Sequence, residues 1–318
     1  MKRTETVFGS PIGARSTKMA VIALSAICAA ALFAFASCAS APKEPAVQGV
    51  RVKAFDTLET DALVYLSVPV AAHKELSGGL LKKMIGSDVS DKYVNEALSS
   101  VDKVYIGLGS RSDKSRLQIA CDGSVSAASK FALSKSDWFD KKTAAVGGAA
   151  FPVFVEKKSG VQLCAPRNDL ILIASDIDPQ LKRYDSELSA QDAEGADGRG
   201  WKDGEAYKYV GENETDNVRL YMNRPLSFIT NLLGTALSSA IFQLNYIKGD
   251  FSRLPSGKYS VDLNMEFSRD NLIGKAAAFL KVALLMTDSK VTELDARHLS
   301  VTGIQVSLAQ MQNMLGIR

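Results

Sequence analysis

Between residues 258 and 268 the chain alternates without a break. Tyr259, Val261, Leu263, Met265 and Phe267 fall on one face; Ser260, Asp262, Asn264, Glu266 and Ser268 fall on the other. Successive side chains of a strand point to opposite sides of the sheet, so this run is a strand with one face on a core and one toward water. Half-solvated strands belong to antiparallel sheets, because strands of parallel sheets are covered on both faces and read as unbroken apolar runs. The first set is therefore expected inside, and Asp262, Asn264 and Glu266 largely outside.

The same period predicts strands at 62–68, 103–108, 116–121, 151–156, 218–222 and 241–248, and a hairpin at 161–175 turning at Arg167, Asn168 and Asp169. In the 241–248 run Phe242, Leu244 and Tyr246 alternate against Gln243 and Asn245. A last strand or hairpin covers 293–306 around Gly303. Helical spacing with caps predicts helices at 70–85 (interrupted at Gly78 and Gly79), 91–101, 124–133, 179–188, 225–237, 271–286 and 308–315. Residues 189–216 are rich in Gly, Asp and Glu and read as a polar loop, with Trp201 and Tyr207 as its docking points. Both halves then read β-α-β-β-α-β-β-α, and DALVYL at 61–66 is echoed by NVRLYM at 217–222. The expected fold class is α+β: two diverged repeats, a mainly antiparallel curved sheet, and helices over one face. The boundaries are a leader at 1–37, a flexible tether at 38–55, a first repeat at 56–188, a linker at 189–216 and a second repeat at 217–318.

The leader carries Lys2, Arg3, Arg15 and Lys18 against Glu5 alone, then an uncharged run from 19 to 37. A basic start, an apolar stretch and small residues before a cut site make a secretory signal peptide. Met19 is a second candidate start within it. The small pair Ala36-Ser37 precedes Cys38, and Phe35-Ala36-Ser37-Cys38 resembles the lipobox of bacterial lipoproteins, in the relaxed form found in spirochaetes, with Phe35 in place of leucine. The resemblance implies cleavage before Cys38 and a diacylglyceryl, palmitate-type anchor on its thiol. Ser40 to Pro45 would then form the start of a polar tether.

The formal charge of +3 resides in this leader, so the mature chain is near neutral and offers no electrostatic case for nucleic acid. An exported chain permits a disulfide. Alternation, however, puts Cys121 with Leu117 and Ile119, and Cys164 opposite Leu163. The two thiols face different sides and are expected not to bond. His73 reads as lying on a polar helix face and His298 in a strand, neither beside ligands at metal spacing. No nucleophile elbow, phosphate loop or dinucleotide fingerprint occurs. The reading is of a chain without catalytic residues, metal or cofactor.

The informative features are apolar. From 225 to 247 no residue is charged, and Leu226, Phe228, Ile229, Leu232, Leu233 and Leu237 form a broad stripe opposite Ser, Thr and Asn. In the 272–286 helix Leu272, Ile273, Ala276, Phe279, Leu280, Ala283 and Leu284 form another, and its charged residues are Lys275 and Lys281 alone. Packing on the sheet accounts for such stripes; so does the wall of a lipid pocket, or contact with a bilayer held close by the anchor. In anchor and helix character the chain resembles treponemal outer-membrane-associated lipoproteins with amphipathic helices, and more remotely mycobacterial lipid-carrier lipoproteins. That resemblance implies a lipid or glycolipid ligand, a membrane as partner, and a place on the periplasmic side of the outer or inner membrane. A structural lipoprotein docking on other envelope components through its sheet or the 189–216 loop is the second expectation.

Overall fold

The computed structural model describes residues 51–85, 98–109, 117–125, 139–192, 199–212, 214–223, 225–233 and 241–314, with 91, 95, 134 and 137 as single positions. The leader, Cys38, the tether up to 50 and most of the expected helices at 91–101 and 124–133 lie outside these residues.

Among the described residues twelve strands form one antiparallel sheet: β1 Val64–Pro69, β2 Val101–Leu108, β3 Leu117–Gly123, β4 Phe139–Val146, β5 Ala149–Glu156, β6 Gln162–Arg167, β7 Leu170–Ala174, β8 Val218–Asn223, β9 Leu244–Arg253, β10 Tyr259–Phe267, β11 Lys290–Glu293 and β12 His298–Val306. Their order across the sheet is β11-β12-β10-β9-β8-β1-β2-β3-β7-β6-β5-β4. The two halves meet where β1 pairs with β8, Tyr65 opposite Tyr221 and Leu66 opposite Leu220. The helices are α1 Lys74–Ile85, α2 Asp178–Asp192, α3 Arg199–Lys202, α4 Leu226–Leu233, α5 Ile273–Ala283 and α6 Leu308–Met314.

Alternation along β10 is as expected: Tyr259, Val261, Leu263, Met265 and Phe267 are buried. On the other face Asn264 is exposed, while Asp262 and Glu266 are half-buried by their hydrogen bonds. Asp262 Oδ1 accepts from the Gly303 N–H at 2.8 Å, and Glu266 Oε1 accepts from Arg297 at 2.9 Å and Asn245 at 3.0 Å.

The pleat divides the core in two. Leu66, Val68, Leu220, Ile247 and Phe251 point to one face and pack with β10, β12 and residues of α1, α4, α5 and α6. Tyr65, Tyr105, Ala120, Leu172 and Cys164 point to the other, where the 3-10 turn Ala54–Thr57, α2 and the π-helical turn Tyr207–Gly211 cover them. Helices expected over one face thus lie on both: among the described residues α1, α4, α5 and α6 on the first and α2 on the second. Cys121 and Cys164 are both buried and not joined, on opposite faces as expected.

Several expectations need correction. The second half reads β8-α4-β9-β10-α5-β11-β12-α6, as expected, but the first half has four strands, β4 to β7, where the run at 151–156 and the 161–175 hairpin supply three. The missed strand is β4, an edge strand. It joins β5 through Gly147 and Gly148, with φ of +58° and +82°, as a two-residue hairpin of this kind requires. The first helix begins at Lys74, not 70. The 189–216 stretch is no simple linker: it holds the end of α2, α3 and the π turn, with Tyr207 and Val210 buried. The tether ends early, since Val52, Ala54 and Phe55 are buried. In β9 a register shift sets Glu266 against Tyr246 but Phe267 against Leu244, so Leu244 and Tyr246 take opposite faces. Tyr246 stacks instead on Tyr221, centroids 5.3 Å apart. Gly303 lies inside β12; the hairpin turns at 294–297, where Asp295 Oδ1 accepts from the N–H groups of Arg297 and His298.

Candidate membrane- and lipid-contact site

Helix α4 starts directly after Pro225, whose missing N–H costs nothing in a first turn. Helix α5 follows the 3-10 turn Asp270–Leu272 at the end of β10. Both fold back over the same face of the second half-sheet. Phe228, Ile229, Leu272, Ile273, Leu280 and Leu284 are buried in its core, and Leu226, Leu232 and Phe279 are half-buried against it. The structure thus brings nine of the eleven expected contact residues together, as packing on the sheet. The Leu233 side chain and Leu237 lie outside the described residues. Phe279 meets Phe242 edge-on with centroids 5.7 Å apart, and Phe242 in turn lies 6.3 Å from Phe267.

The outward side of α5 is the unexpected part. A surface helix normally sets charge opposite its core stripe. Here the exposed residues are Gly274, Lys275, Ala278, Lys281, Val282 and Ala283, followed by Leu285 and Met286. Val282, Leu285 and Met286 are 74, 76 and 95% exposed. No acid occurs from 271 to 287. These residues are held in place: Thr287 donates its N–H and its hydroxyl to the Leu284 carbonyl at 2.9 and 2.7 Å, and the Ser289 hydroxyl lies 2.9 Å from that of Thr287. Helical periodicity assigns Val282 and Leu285 to the solvent side, so a search for a core stripe passes over them. The readable signal is an outer face without carboxylates.

His73 is not on a polar helix face. It precedes α1, is 1% exposed, and stacks on Tyr259 with centroids 5.6 Å apart. Its Nε2 lies 2.6 Å from the Asp216 carbonyl and its Nδ1 3.3 Å from the Tyr259 hydroxyl. The carbonyl can only accept, so Nε2 carries the proton and Nδ1 accepts from the tyrosine. Burial holds the imidazole below its ordinary pKa of 6.5, with the Arg253 cation acting in the same direction and the Asp216 carbonyl opposing them. The Asp216 carboxylate also opposes the shift, and Arg253 is itself paired with Glu75 at 2.6 Å. The unfolded chain then binds a proton more readily than the native one, so stability is full above about pH 6.5 and falls as pH drops below it. The expected slope between pH 6.5 and 5 is up to about 1.4 kcal/mol per pH unit. Denaturation midpoints against pH should lose this slope in His73→Gln. An equal slope in wild type and variant would show that His73 stays neutral in both states or titrates alike in them.

No curated protein matches the chain. Solved structures of TP0453 do. Crystal form I superposes with a TM-score of 0.62 at 15% identity, covering 84% of this chain and 97% of that one. Form III gives 0.58 at 15% identity, over 83% and 98%. At that identity the likeness establishes the fold, an antiparallel sheet with a few helices. The family model described as "Outer membrane-associated lipoprotein TP0453" matches residues 49–312, which is nearly all of the described body. The chain therefore belongs to the family of the outer membrane-associated lipoprotein TP0453 and is a lipoprotein of the cell envelope.

Proposed function

We propose that this lipoprotein is a non-enzymatic binder or carrier of a lipid or other hydrophobic ligand, anchored through Cys38 on the periplasmic side of a membrane. Its helices α4 and α5 would form the wall that parts from the sheet to admit the ligand. The carrying observation is that α5 is apolar on both sides. Its inner stripe is buried in the core, and its outer stripe has two lysines and no carboxylate. Such a helix meets a low electrostatic cost on approaching lipid. Leaving the sheet costs more: each of Leu272, Ile273, Leu280 and Leu284 forfeits about 1.5–3 kcal/mol of burial when fully exposed. Opening is therefore rare in water and is promoted by a bilayer or a ligand that replaces those contacts.

The order of strands outward from the central pair supports two diverged halves: β1-β2-β3-β7-β6 on one side and β8-β9-β10-β12-β11 on the other, with the β4–β5 hairpin extending the first. On this reading the second half has become the lipid-handling one.

Organic extraction of purified protein followed by mass spectrometry tests the carrier reading; recovery of a stoichiometric lipid is the expected result. Phe279→Glu, which sets a charge against Phe242, should lower both lipid recovery and liposome flotation of the non-lipidated protein if circular dichroism shows the fold intact. No lipid, and no flotation of the non-lipidated wild-type body, would put docking on envelope proteins in its place. The anchor has its own test. Cys38→Ala is expected to abolish partitioning into the detergent phase, and unchanged partitioning with unchanged N-terminal mass would refute lipidation.

A further inference from the structure

We infer that the water-facing side of β9, β10 and β12 is a binding face for an uncharged glycan strand of the envelope, with Tyr246, Asn264 and Glu266 at its centre. This goes beyond the lipid-carrier reading, which uses the opposite face of the same half-sheet, and does not depend on it.

Strand pairing lays this face out. Glu266 stands between Tyr246 and His298, and Asn264 between Lys248 and Ser300. Along β10 the face runs from Ser260 to Glu266, about 20 Å at the rise of a strand. Residues of α1, α4, α5 and α6 pack on the other side of these strands, whereas α2 and the π turn cover the first half. Among the described residues the second core ends at Tyr246, and no outward residue of β10 or β12 belongs to it.

The chemistry of the face limits its partners. A protein interface sets apolar or aromatic anchors at its centre, and the outward positions of β10 are Ser260, Asp262, Asn264 and Glu266. A strongly charged partner needs complementary charge. Here the cations are already matched: Arg219 with Asp250 at 2.8 Å, Arg297 with Glu266 at 2.9 Å, and Lys248 with Glu205. What remains is a set of oriented polar groups. Glu266 Oε1 accepts from both Asn245 and Arg297, so its carboxylate is aimed before a ligand arrives. The Gly303 N–H fixes Asp262 in the same way. The exposed Asn264 amide can donate and accept at once. Tyr246 stands half-buried beside them, its ring stacked on Tyr221. Solvation alone gives no reason to hold a large ring at the border of such a face. A sugar does. Its hydroxyls donate and accept, matching carboxylate and amide, while its C–H faces lie against an aromatic ring.

The test uses the full lipidated chain in a detergent without a sugar head group. Chitotetraose and maltotetraose are the probes, and saturation-transfer NMR is the readout. The expected result is transfer to the ring protons of at least one of them, unchanged by added salt because no charge is exchanged. Asn264→Ala, at an exposed position, should keep the fold and weaken binding about five-fold, the worth of one hydrogen bond. Tyr246→Ala should weaken it about ten-fold. Thr143→Ala, on the exposed stretch of β4, should change nothing. Three outcomes overturn the inference. No transfer to either sugar leaves the face to a protein partner or to water. Transfer that survives both variants places the sugar elsewhere, and transfer lost in salt makes it a charge contact. Lipid extraction reads the carrier function separately: bound lipid without sugar binding defeats this inference alone, and sugar binding without bound lipid defeats the carrier alone.

Discussion

Phe55→Ala is expected to destabilise the protein by about 3–5 kcal/mol, the usual cost of removing a large buried ring. Phe55 is fully buried in the segment that joins the tether to the body. Four rings surround it: Tyr65, Tyr105 and Tyr207 at 5.5 Å and Trp201, nearly parallel, at 5.4 Å. A Cβ at Gly211 would come within 2.4 Å of its ring, so no slack exists on that side and Gly211→Ala should also destabilise. The neighbouring polar contacts depend on the ring's seat. Tyr207 donates to Asp56 Oδ1 at 2.6 Å, and Lys202 lies 3.8 Å from Asp56 and 2.5 Å from Glu187. Removing the ring should therefore loosen α3 and the π turn together, and shift Trp201 emission to the red in a Trp138→Phe background. Denaturant unfolding followed by circular dichroism measures the loss. A cost below about 1 kcal/mol, smaller than any large-to-small core change of this kind, would mean that residues 52–57 do not dock in solution. The tether would then be as long as its composition suggests.

What the chain's own pattern reveals depends on whether a contact is local. Strand β10 was legible because one face meets water, so the pleat is written directly in residue type. Strand β4 was not: it is an edge strand whose central residues, Asp140 to Thr143, are all exposed, and it has no apolar face to announce itself. The shift in β9 was hidden for another reason. Leu244 and Tyr246 alternate correctly with their neighbours, and it is pairing with β10 that places them on opposite faces. His73 depends on Tyr259, 186 residues away; of its near neighbours only Val70 and Leu76, both buried, share its side. The candidate site divides in the same way. The inner stripe of α5 follows helical period and could be read. Val282, Leu285 and Met286 occupy positions that period assigns to water, so only their chemistry marks them. Residues 189–216 look like linker because composition weighs Gly and Asp, whereas Trp201 and Tyr207 decide where the segment goes.

The register of the second half-sheet predicts opposite outcomes for two adjacent residues. Leu263 is 2% exposed and lies between Gly249 of β9 and Val301 of β12. Gly249 leaves room that the Phe251 ring occupies, 2.9 Å from where a Cβ would stand, so this part of the core is already closely filled. Leu263→Ala should leave a void that rigid neighbours cannot close, at about 2–5 kcal/mol. Asn264 points to the other face and is exposed. Asn264→Ala should stay within about 0.5 kcal/mol of wild type. A slip of one residue would exchange the two faces of β10 and with them the two effects. Paired denaturation curves for these variants therefore test the face assignment directly. Similar losses at both positions would mean that the polar face is covered in solution, which would favour a docking partner on that face over a free surface. A large loss at Leu263 alone would leave α4 and α5, beside α1 and α6, packed on this core, the arrangement from which a ligand or a bilayer would have to lift them.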